Sequence, residues 1–271
     1  MLNSKQFCFK KKLGQNFLLD EKFLIKMVSL MKIEPNTLII EIGVGTGLLT
    51  SLLAKKANHV CGYEIDKRLE PIIINNLKND KNVKIIYDDF LSRDLQEDIK
   101  NEVKRNVYVV GNLPYYITTP IIMKIINSKI NPRKIIIMVQ KEVGERILAK
   151  TGTKEYNSLT VFLNYYYDIK KIITIGREMF IPKPNIDSVL LEFTQKEKKY
   201  NVLDEKLFLK LVRDSFQYKR KTLKNNLKDY NLEIIAKVLN KYNNDLSIRA
   251  EKLTIEQFVI IANELKKDEM K

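Results

Sequence analysis

The chain has 271 residues, 45% of them hydrophobic and 30% charged, which is enough to bury a core in one or two globular domains. Its 48 Lys and Arg against 33 Asp and Glu give a net charge of +15, which favours a polyanionic partner, although a general lysine bias is the alternative. One histidine and two cysteines disfavour a metal site or a disulfide framework. Since no apolar run suits a signal peptide or a membrane span, we predict a cytoplasmic protein without a membrane partner.

Short apolar segments alternate with amphipathic segments over the first two-thirds of the chain. The predicted strands cover residues 37–43, 59–65, 82–89, 106–113, 134–140, 169–176 and 187–194. The predicted helices cover residues 48–57, 67–79, 96–105, 118–128 and 157–167, and Pro71 breaks or offsets the second of them. This alternation predicts a parallel sheet covered on both faces, with the last two strands paired as an antiparallel edge.

The chain changes character near residue 195. Residues 195–201 are polar and lack apolar periodicity, whereas the segments beyond them have helical periodicity. The predicted helices there cover residues 204–216, 221–230, 232–242 and 254–267. We therefore predict an α/β domain over residues 1–195 and a small all-α domain over residues 200–271.

The first predicted strand runs into a glycine loop, EIGVGTG, at residues 41–47. Gly43 and Gly45 allow a ligand to approach the backbone closely, although G-x-G-x-G differs from the dinucleotide fingerprint. Glu64 ends the second strand, where a carboxylate can accept both hydroxyls of a ribose. Asp89 ends the third strand and can accept from an adenine amino group. Each carboxylate alone is also compatible with a solvated charge, but together with the glycine loop they predict a site for an adenosine derivative without a pyrophosphate.

The stretch NLPYYI, at residues 112–117, follows the fourth strand and borders the same predicted crevice. The Asn112 side-chain carbonyl can accept one hydrogen bond from an amino group, and the Leu113 backbone carbonyl can accept a second. Pro114 fixes the turn, and Tyr115 can lie flat on a purine ring. Two acceptors on an exocyclic amine favour a pyramidal nitrogen with an outward lone pair, which can attack a methyl group in line. A capped turn with core tyrosines is the structural alternative.

These motifs resemble those of the ribosomal RNA adenine N6,N6-dimethyltransferases of the KsgA type, and the resemblance covers nearly the whole chain. It is carried by GQNFLLD, EIGVGTG, YEID, DDF, NLPYYI, MVQKEVGERI, FIPKPNIDS and RAEKLTIEQFVIIAN. Many members of that family have proline where Val44 stands, a difference that concerns the stiffness of the loop.

The resemblance implies a Rossmann-like methyltransferase fold with a mostly parallel seven-stranded sheet and S-adenosylmethionine as the cofactor. The implied cofactor contacts are Asn16, Leu18, Gly43, Gly45, Glu64, Asp89 and Asn112. The implied catalytic residues are Asn112, Leu113, Pro114 and Tyr115, with Phe180 facing the target adenine opposite Tyr115. The implied reaction places two methyl groups on N6 of each of two adjacent adenines near the 3′ end of small-subunit rRNA. We expect a monomer that acts on an assembling 30S-type particle.

The predicted second domain carries a basic segment, QYKRKTLKNN, at residues 217–226. Lys219, Arg220, Lys221 and Lys224 lie together there, and we predict that they contact rRNA phosphates. A solvated charged surface is the alternative interpretation of these four side chains.

Two other functions share part of this pattern. A large-subunit rRNA adenine methyltransferase of the macrolide-resistance type has the same glycine loop and Asn-x-Pro-Tyr turn, but Leu113 and the C-terminal motifs disfavour it. A non-catalytic RNA-binding factor of ribosome assembly is the second alternative. The presence of Glu64, Asp89 and Asn112 argues against a loss of catalysis, although it is compatible with an additional assembly role.

Overall fold

The computed structural model of the chain describes residues 15–102, 106–113, 117–197 and 200–270. Its strands are β1 (Phe17–Leu18), β2 (Thr37–Ile42), β3 (His59–Tyr63), β4 (Val83–Ile86), β5 (Asn106–Asn112), β6 (Lys134–Gln140), β7 (Tyr167–Ile175), β8 (Phe180–Ile181) and β9 (Ser188–Gln195). Its α-helices are α1 (Glu21–Leu30), α2 (Leu48–Ala54), α3 (Glu70–Leu77), α4 (Leu95–Asp98), α5 (Thr118–Asn127), α6 (Lys141–Ile147), α7 (Ser158–Tyr166), α8 (Glu205–Ser215), α9 (Leu223–Asn226), α10 (Leu232–Asn240) and α11 (Ile255–Glu269). Within these ranges no helix combines the length and the apolar character needed to cross a bilayer.

Seven strands form one sheet in the order β4-β3-β2-β5-β6-β9-β7. The pairs among the first five are parallel, and β9 runs antiparallel to β6. The prediction of a mostly parallel seven-stranded sheet is confirmed. All six residues of β2 are buried, as expected for a central strand covered on both faces. In the register of the sheet, Ile42 lies opposite Tyr63 of β3 and Gly111 of β5, so these strands end at the same edge.

Several elements differ from the sequence prediction. Helix α1, helix α6 and the two-residue strands β1 and β8 were not predicted. The predicted helix at 221–230 is shorter in the structure, where α9 ends at Asn226 and the Asn226 side-chain amide donates to the carbonyls of Ser215, the last residue of α8, and of Tyr218. Pro71 does offset the second helix, since a 3-10 turn at Lys67–Leu69 precedes α3 and the proline lies in its first turn, where its missing N–H costs little.

The described residues divide into two compact units, one drawn from Met1–Gly144 and Lys170–Gln195 and the other from Glu145–Ile169 and Lys196–Lys271. The first contains most of the sheet. The second contains α7 to α11 around a core of apolar side chains that includes Val161, Phe208 and Phe258. The residues of α7 therefore group with the C-terminal helices, whereas the predicted division placed all of 1–195 in one domain.

The two short strands pair with each other outside the main sheet. Phe17 of β1 lies opposite Ile181 of β8, and Leu18 lies opposite Phe180 in an antiparallel register. Both segments belong to motifs that the sequence analysis treated separately. The pairing fixes the position of the segment before α1. Asp20, the N-cap of α1, follows this segment directly.

Gly62 of β3 packs against the glycine loop, and we predict that Gly62→Ala destabilises the protein. An added Cβ would lie 2.5 Å from a Val44 methyl group and 2.9 Å from the Ile85 Cδ1. Overpacking of this kind should lower the free energy of unfolding by about 1–3 kcal/mol in chemical denaturation. Gly176→Ala is the matched control, because only the flexible Glu178 side chain must move there. Equal unfolding free energies for both variants would contradict this packing.

Candidate active site

The carboxyl ends of β4, β3, β2 and β5 meet at one edge of the sheet and border a pocket. The predicted site residues that line it are Asn16, Leu18, Gly43, Gly45, Glu64, Asp89, Asn112 and Leu113. They come from five separate segments of the chain, which the parallel register of the strands brings together. The arrangement is the one expected for a ligand site at the carboxyl edge of an open α/β sheet.

The glycine loop between β2 and α2 has a backbone conformation that most side chains disfavour, and it lies close to its neighbours. Gly43, Gly45 and Gly47 have φ values of +80°, +61° and +82°, in the left-handed region that glycine adopts without strain. A Cβ on Gly43 would lie 3.4 Å from the Asn112 backbone carbonyl, and one on Gly45 would lie 3.2 Å from the Phe17 ring. The loop therefore presents bare backbone to the pocket.

The Glu64 carboxylate is tied to the glycine loop. Its Oε2 accepts the Gly45 N–H at 2.8 Å, and its Oε1 accepts the Asp66 N–H at 2.8 Å. Burial raises the pKa of Glu64, and the two backbone hydrogen bonds act in the opposite direction. Each carboxylate oxygen has two lone pairs, so the group can still accept from a ligand while it orders the loop.

Asp66 links the end of β3 to the segment before β1, a role that the sequence analysis missed. Its Oδ2 accepts from the Gln15 side-chain amide at 2.7 Å and forms an ion pair with Arg68 at 2.6 Å. The hydrogen bonds from Arg68 lower the pKa of Asp66 to about 2. The spacing Asp66-x-Arg68 in the sequence was a signal for this local pair, but its long-range partner Gln15 had no sequence signature.

Asp89 lies at the pocket but also caps a turn. Its Oδ1 accepts the Leu91 N–H at 2.9 Å at the start of the 3-10 turn Phe90–Ser92. One carboxylate oxygen is thus engaged in capping, and the side chain is half-buried. The predicted contact with an adenine amino group remains compatible with the second oxygen and stays a prediction.

The Asn112 side chain is oriented by a segment 96 positions earlier in the chain. Its Nδ2 donates to the Asn16 backbone carbonyl at 2.9 Å, which distinguishes the amide nitrogen from the amide oxygen. Because Oδ1 is the other arm of the same planar amide, this bond determines where the acceptor lies. The neighbouring Leu113 is buried, and its N–H donates to the Met138 carbonyl of β6 at 3.3 Å.

The remaining predicted catalytic residues are placed differently. Pro114 and Tyr115 lie outside the described residues. Phe180 is only 2% exposed and packs in the core cluster with Leu18 and Leu190, and it is not among the residues that line the pocket. A contact between Phe180 and a target base would therefore require its ring to leave the core, and the proposed role stays a prediction.

Glu41 is a second residue that the sequence analysis missed. It is fully buried in β2 and lines the pocket, and among the described residues neither of its carboxylate oxygens has a hydrogen-bond partner. Burial raises the pKa of Glu41 from 4.5 to about 8, with a smaller contribution in the same direction from the charge of Glu64, while the nearby Thr50 hydroxyl acts in the opposite direction. The signal was visible as the single acidic residue in the apolar strand TLIIEI. A buried carboxyl without a partner favours a cationic or hydrogen-bonding ligand at this position.

The predicted RNA-binding cations lie in the second unit. Lys219, Arg220 and Lys221 are exposed in the loop after α8, and Lys224 is exposed in α9. Among the described residues none of the four takes part in an ion pair. Their charge is therefore available to a polyanion.

Two solved structures of transferases have a similar fold. A dimethyladenosine transferase from Plasmodium falciparum is 25% identical, with a TM-score of 0.79 over 93% of this chain and 98% of that chain. The 23S rRNA methyltransferase ErmE is 22% identical, with a TM-score of 0.73 over 93% of this chain and 100% of that chain, and this similarity concerns the fold alone. Together with the site at the carboxyl edge of the sheet, these similarities define a methyltransferase of the Rossmann-like class.

The family follows from the sequence comparisons. The chain belongs to the ribosomal RNA adenine dimethylase family, whose sequence profile matches residues 6–267. It is 42% identical to the ribosomal RNA small subunit methyltransferase A of Bacillus cytotoxicus over 98% of this chain and 94% of that protein. It is also 42% identical to the protein of the same name from Bacillus mycoides, over 96% and 92% of the two chains. The resemblance to this family that the motifs indicated is confirmed.

The buried Glu41 makes the stability of the ligand-free protein dependent on pH. Its pKa is higher in the folded state, about 8, than its ordinary value of 4.5, so the folded state holds the proton over this interval. The free energy of unfolding of the wild type, relative to Glu41→Gln, should therefore fall as the pH rises from about 5 to 8, by at most about 1.4 kcal/mol per pH unit. Denaturant unfolding at a series of pH values measures this difference.

Glu142→Gln is the matched control for the loss of one negative charge, because Glu142 is exposed in the same unit. The difference in the free energy of unfolding between Glu142→Gln and the wild type should not change with pH in the way predicted for Glu41→Gln. If the free energies of unfolding of the wild type and Glu41→Gln differed by the same amount at every pH from about 5 to 8, the Glu41 carboxyl would not be protonated in the folded state.

Proposed function

We propose that this protein transfers methyl groups from S-adenosylmethionine to N6 of two adjacent adenines near the 3′ end of small-subunit rRNA. The observation that carries the proposal is the position of Asn112, whose amide is oriented by Asn16 and whose backbone carbonyl borders Gly43. Family membership and the names of the Bacillus relatives support the class of substrate. The large-subunit alternative has no comparable support.

The pocket residues fit an adenosine-based methyl donor. The glycine loop offers bare backbone at Gly43 and Gly45, and Glu64 has the lone pairs to accept from ribose hydroxyls. Asp89 is the candidate acceptor for the adenine amino group. The orphaned carboxyl of Glu41 suits a ligand with cationic groups, because a nearby positive charge would stabilise its ionised form. S-adenosylmethionine, when bound, supplies an electrophilic methyl group on a cationic sulfur.

The chain's own contribution to catalysis is positioning. The Asn112 side-chain oxygen and the Leu113 backbone carbonyl would accept the two hydrogens of the target amine and direct its lone pair outward. Pro114 would shape the turn and Tyr115 would stack on the adenine. Phe180 would lie on the opposite side of the base only after its ring left the core. Orientation of the target amine toward the methyl group can raise the rate of transfer by several orders of magnitude, and it requires no strong base. The target base would have to leave its stack to reach Asn112.

The second unit is proposed to hold the RNA. Lys219, Arg220, Lys221 and Lys224 would contact phosphates of an assembling 30S-type particle, and the protein would act there as a cytoplasmic monomer. The exposed and unpaired state of these cations supports an electrostatic contact, which weakens as salt rises because bound counterions are released. The functional division between a catalytic domain at 1–195 and a recognition domain at 200–271 belongs to the same proposal.

The role of Asn112 predicts a separation of catalysis from cofactor binding. Asn112→Ala should lower single-turnover methyl transfer to small ribosomal subunits by at least about a hundredfold, because the amine loses one of its two acceptors. Titration calorimetry with S-adenosylhomocysteine should give a dissociation constant within a few-fold of the wild type. Asn58→Ala, which removes an exposed amide from the same unit, is the control and should retain activity. An equal loss of cofactor affinity in Asn112→Ala would refute the positioning role.

The proposed substrate predicts where the methyl groups are placed. After incubation with labelled S-adenosylmethionine, unmethylated small subunits should carry N6,N6-dimethyladenosine at two adjacent positions near the 3′ end, measured by mass spectrometry of nuclease fragments. Large subunits incubated in parallel should remain unlabelled. Incorporation into the large subunit alone would support the macrolide-resistance type of activity and reject this proposal.

A further inference from the structure

The basic loop of the second unit displays an aromatic ring to solvent. Tyr218 is 58% exposed, so the face of its ring is accessible to a partner. It directly precedes the exposed Lys219, Arg220 and Lys221. The surface therefore combines a flat aromatic face with a cluster of positive charge.

The backbone that carries this ring is held from inside the unit. The Tyr218 N–H donates to the Asn226 Oδ1 at 3.2 Å, and the Tyr218 carbonyl accepts from the Asn226 Nδ2 at 3.3 Å and from the Lys221 N–H at 2.9 Å. Asn226 is itself buried, and its Nδ2 also donates to the Ser215 carbonyl at 2.7 Å. One buried amide thus satisfies both polar groups of the Tyr218 backbone while the ring remains outside.

The loop is also anchored on its other side. The Leu223 N–H donates to the Ile248 carbonyl at 2.8 Å, and the Lys224 N–H donates to the Leu246 carbonyl at 3.0 Å. A loop whose backbone is already ordered loses little conformational entropy when it binds a partner. Tyrosine adds only two side-chain torsions to that cost.

The charge of the loop is not neutralised by the nearest acidic residue along the chain. Asp214 accepts from the Tyr230 hydroxyl at 2.7 Å and forms an ion pair with Lys210 at 2.8 Å. Among the described residues, Lys219 and Lys221 have no ion-pair partner. A partner of this surface must therefore offer negative charge next to a planar apolar group, a combination that a nucleotide provides.

We propose that Tyr218 stacks on an unpaired nucleobase of the bound RNA while the adjacent cations hold the flanking phosphates. The base must be unpaired because the faces of paired bases are covered within a helix, and stacking on an aromatic side chain tolerates any base. This inference rests on the proposed rRNA substrate and goes further, because it assigns a base contact to a loop for which only phosphate contacts were proposed.

Binding measurements separate stacking from charge. Tyr218→Ala should weaken binding to small ribosomal subunits by about 5- to 100-fold, and Tyr218→Phe, which keeps the ring, should bind like the wild type. The slope of log affinity against log salt should be unchanged in Tyr218→Ala, because no charge is removed. Lys221→Ala should reduce that slope instead. Because Tyr218 is exposed, the thermal unfolding of Tyr218→Ala should match the wild type.

Fluorescence tests the stacking directly, because the chain contains no tryptophan. In Tyr218→Trp the single indole should be quenched when single-stranded RNA oligonucleotides of about ten nucleotides are added at low salt. Tyr242→Trp is the matched control, since Tyr242 is 41% exposed in the same unit and follows a lysine. Its indole should keep its intensity under the same conditions.

An unchanged affinity of Tyr218→Ala, or an unquenched indole in Tyr218→Trp with bound oligonucleotide, would overturn the stacking inference. If Lys221→Ala still lowers the salt slope in that case, the phosphate contacts of the proposed function stand and only the base contact fails. A wild-type protein that fails to methylate small subunits would instead reject the proposed function, and the quenching by oligonucleotides would still test the stacking.

Discussion

The close approach of the glycine loop to the end of β5 is the constraint on which the site depends. A Cβ on Gly43 would contact the Asn112 backbone carbonyl, and one on Gly111 would lie 2.9 Å from the Ile42 carbonyl. Because β2 and β5 are parallel neighbours, the loop proposed to receive the cofactor and the turn proposed to receive the target amine begin at the same level of the sheet. Their separation is set by backbone packing rather than by flexible side chains. An in-line transfer between two ligands requires this kind of fixed distance.

The segment before α1 completes the pocket by bonding to both sides of it. Gln15 donates to Asp66 at the end of β3, and the Asn16 carbonyl accepts from Asn112 at the end of β5. The next residues pair with β8, so the segment is held along its length. Because the acceptor is the Asn16 backbone carbonyl, a displacement of this segment, rather than a change of the Asn16 side chain, would alter the orientation of the Asn112 amide. The sequence analysis assigned a cofactor contact to Asn16 and a catalytic contact to Asn112 from separate motifs. In the structure one hydrogen bond joins these two residues.

Periodicity and strand-end chemistry were sufficient to predict most of the sheet and the location of the pocket. The apolar strands are long enough to be unambiguous, and parallel topology brings their carboxyl ends together whatever the loops contain. The strands β1 and β8 were missed because two residues have no detectable period and their pairing joins positions that are more than 150 residues apart. The core position of Phe180 was missed for a different reason, since motif resemblance carries no information on side-chain burial. Glu41 could have been found, because a lone acid in a buried strand conflicts with its surroundings.

The two buried carboxyls connect the stability of the free protein to the proposed chemistry. Glu41 and Glu64 lie at the ends of neighbouring strands, and burial raises the pKa of both. Glu64 is compensated by two backbone N–H donors, whereas Glu41 has no partner among the described residues. The free protein therefore keeps an uncompensated acid in the pocket proposed for the methyl donor. A neutral residue there would be easier to bury, and a bound cationic ligand would offset part of the cost that Glu41 imposes on the fold. Positions that break a local rule in this way often serve a site rather than the core.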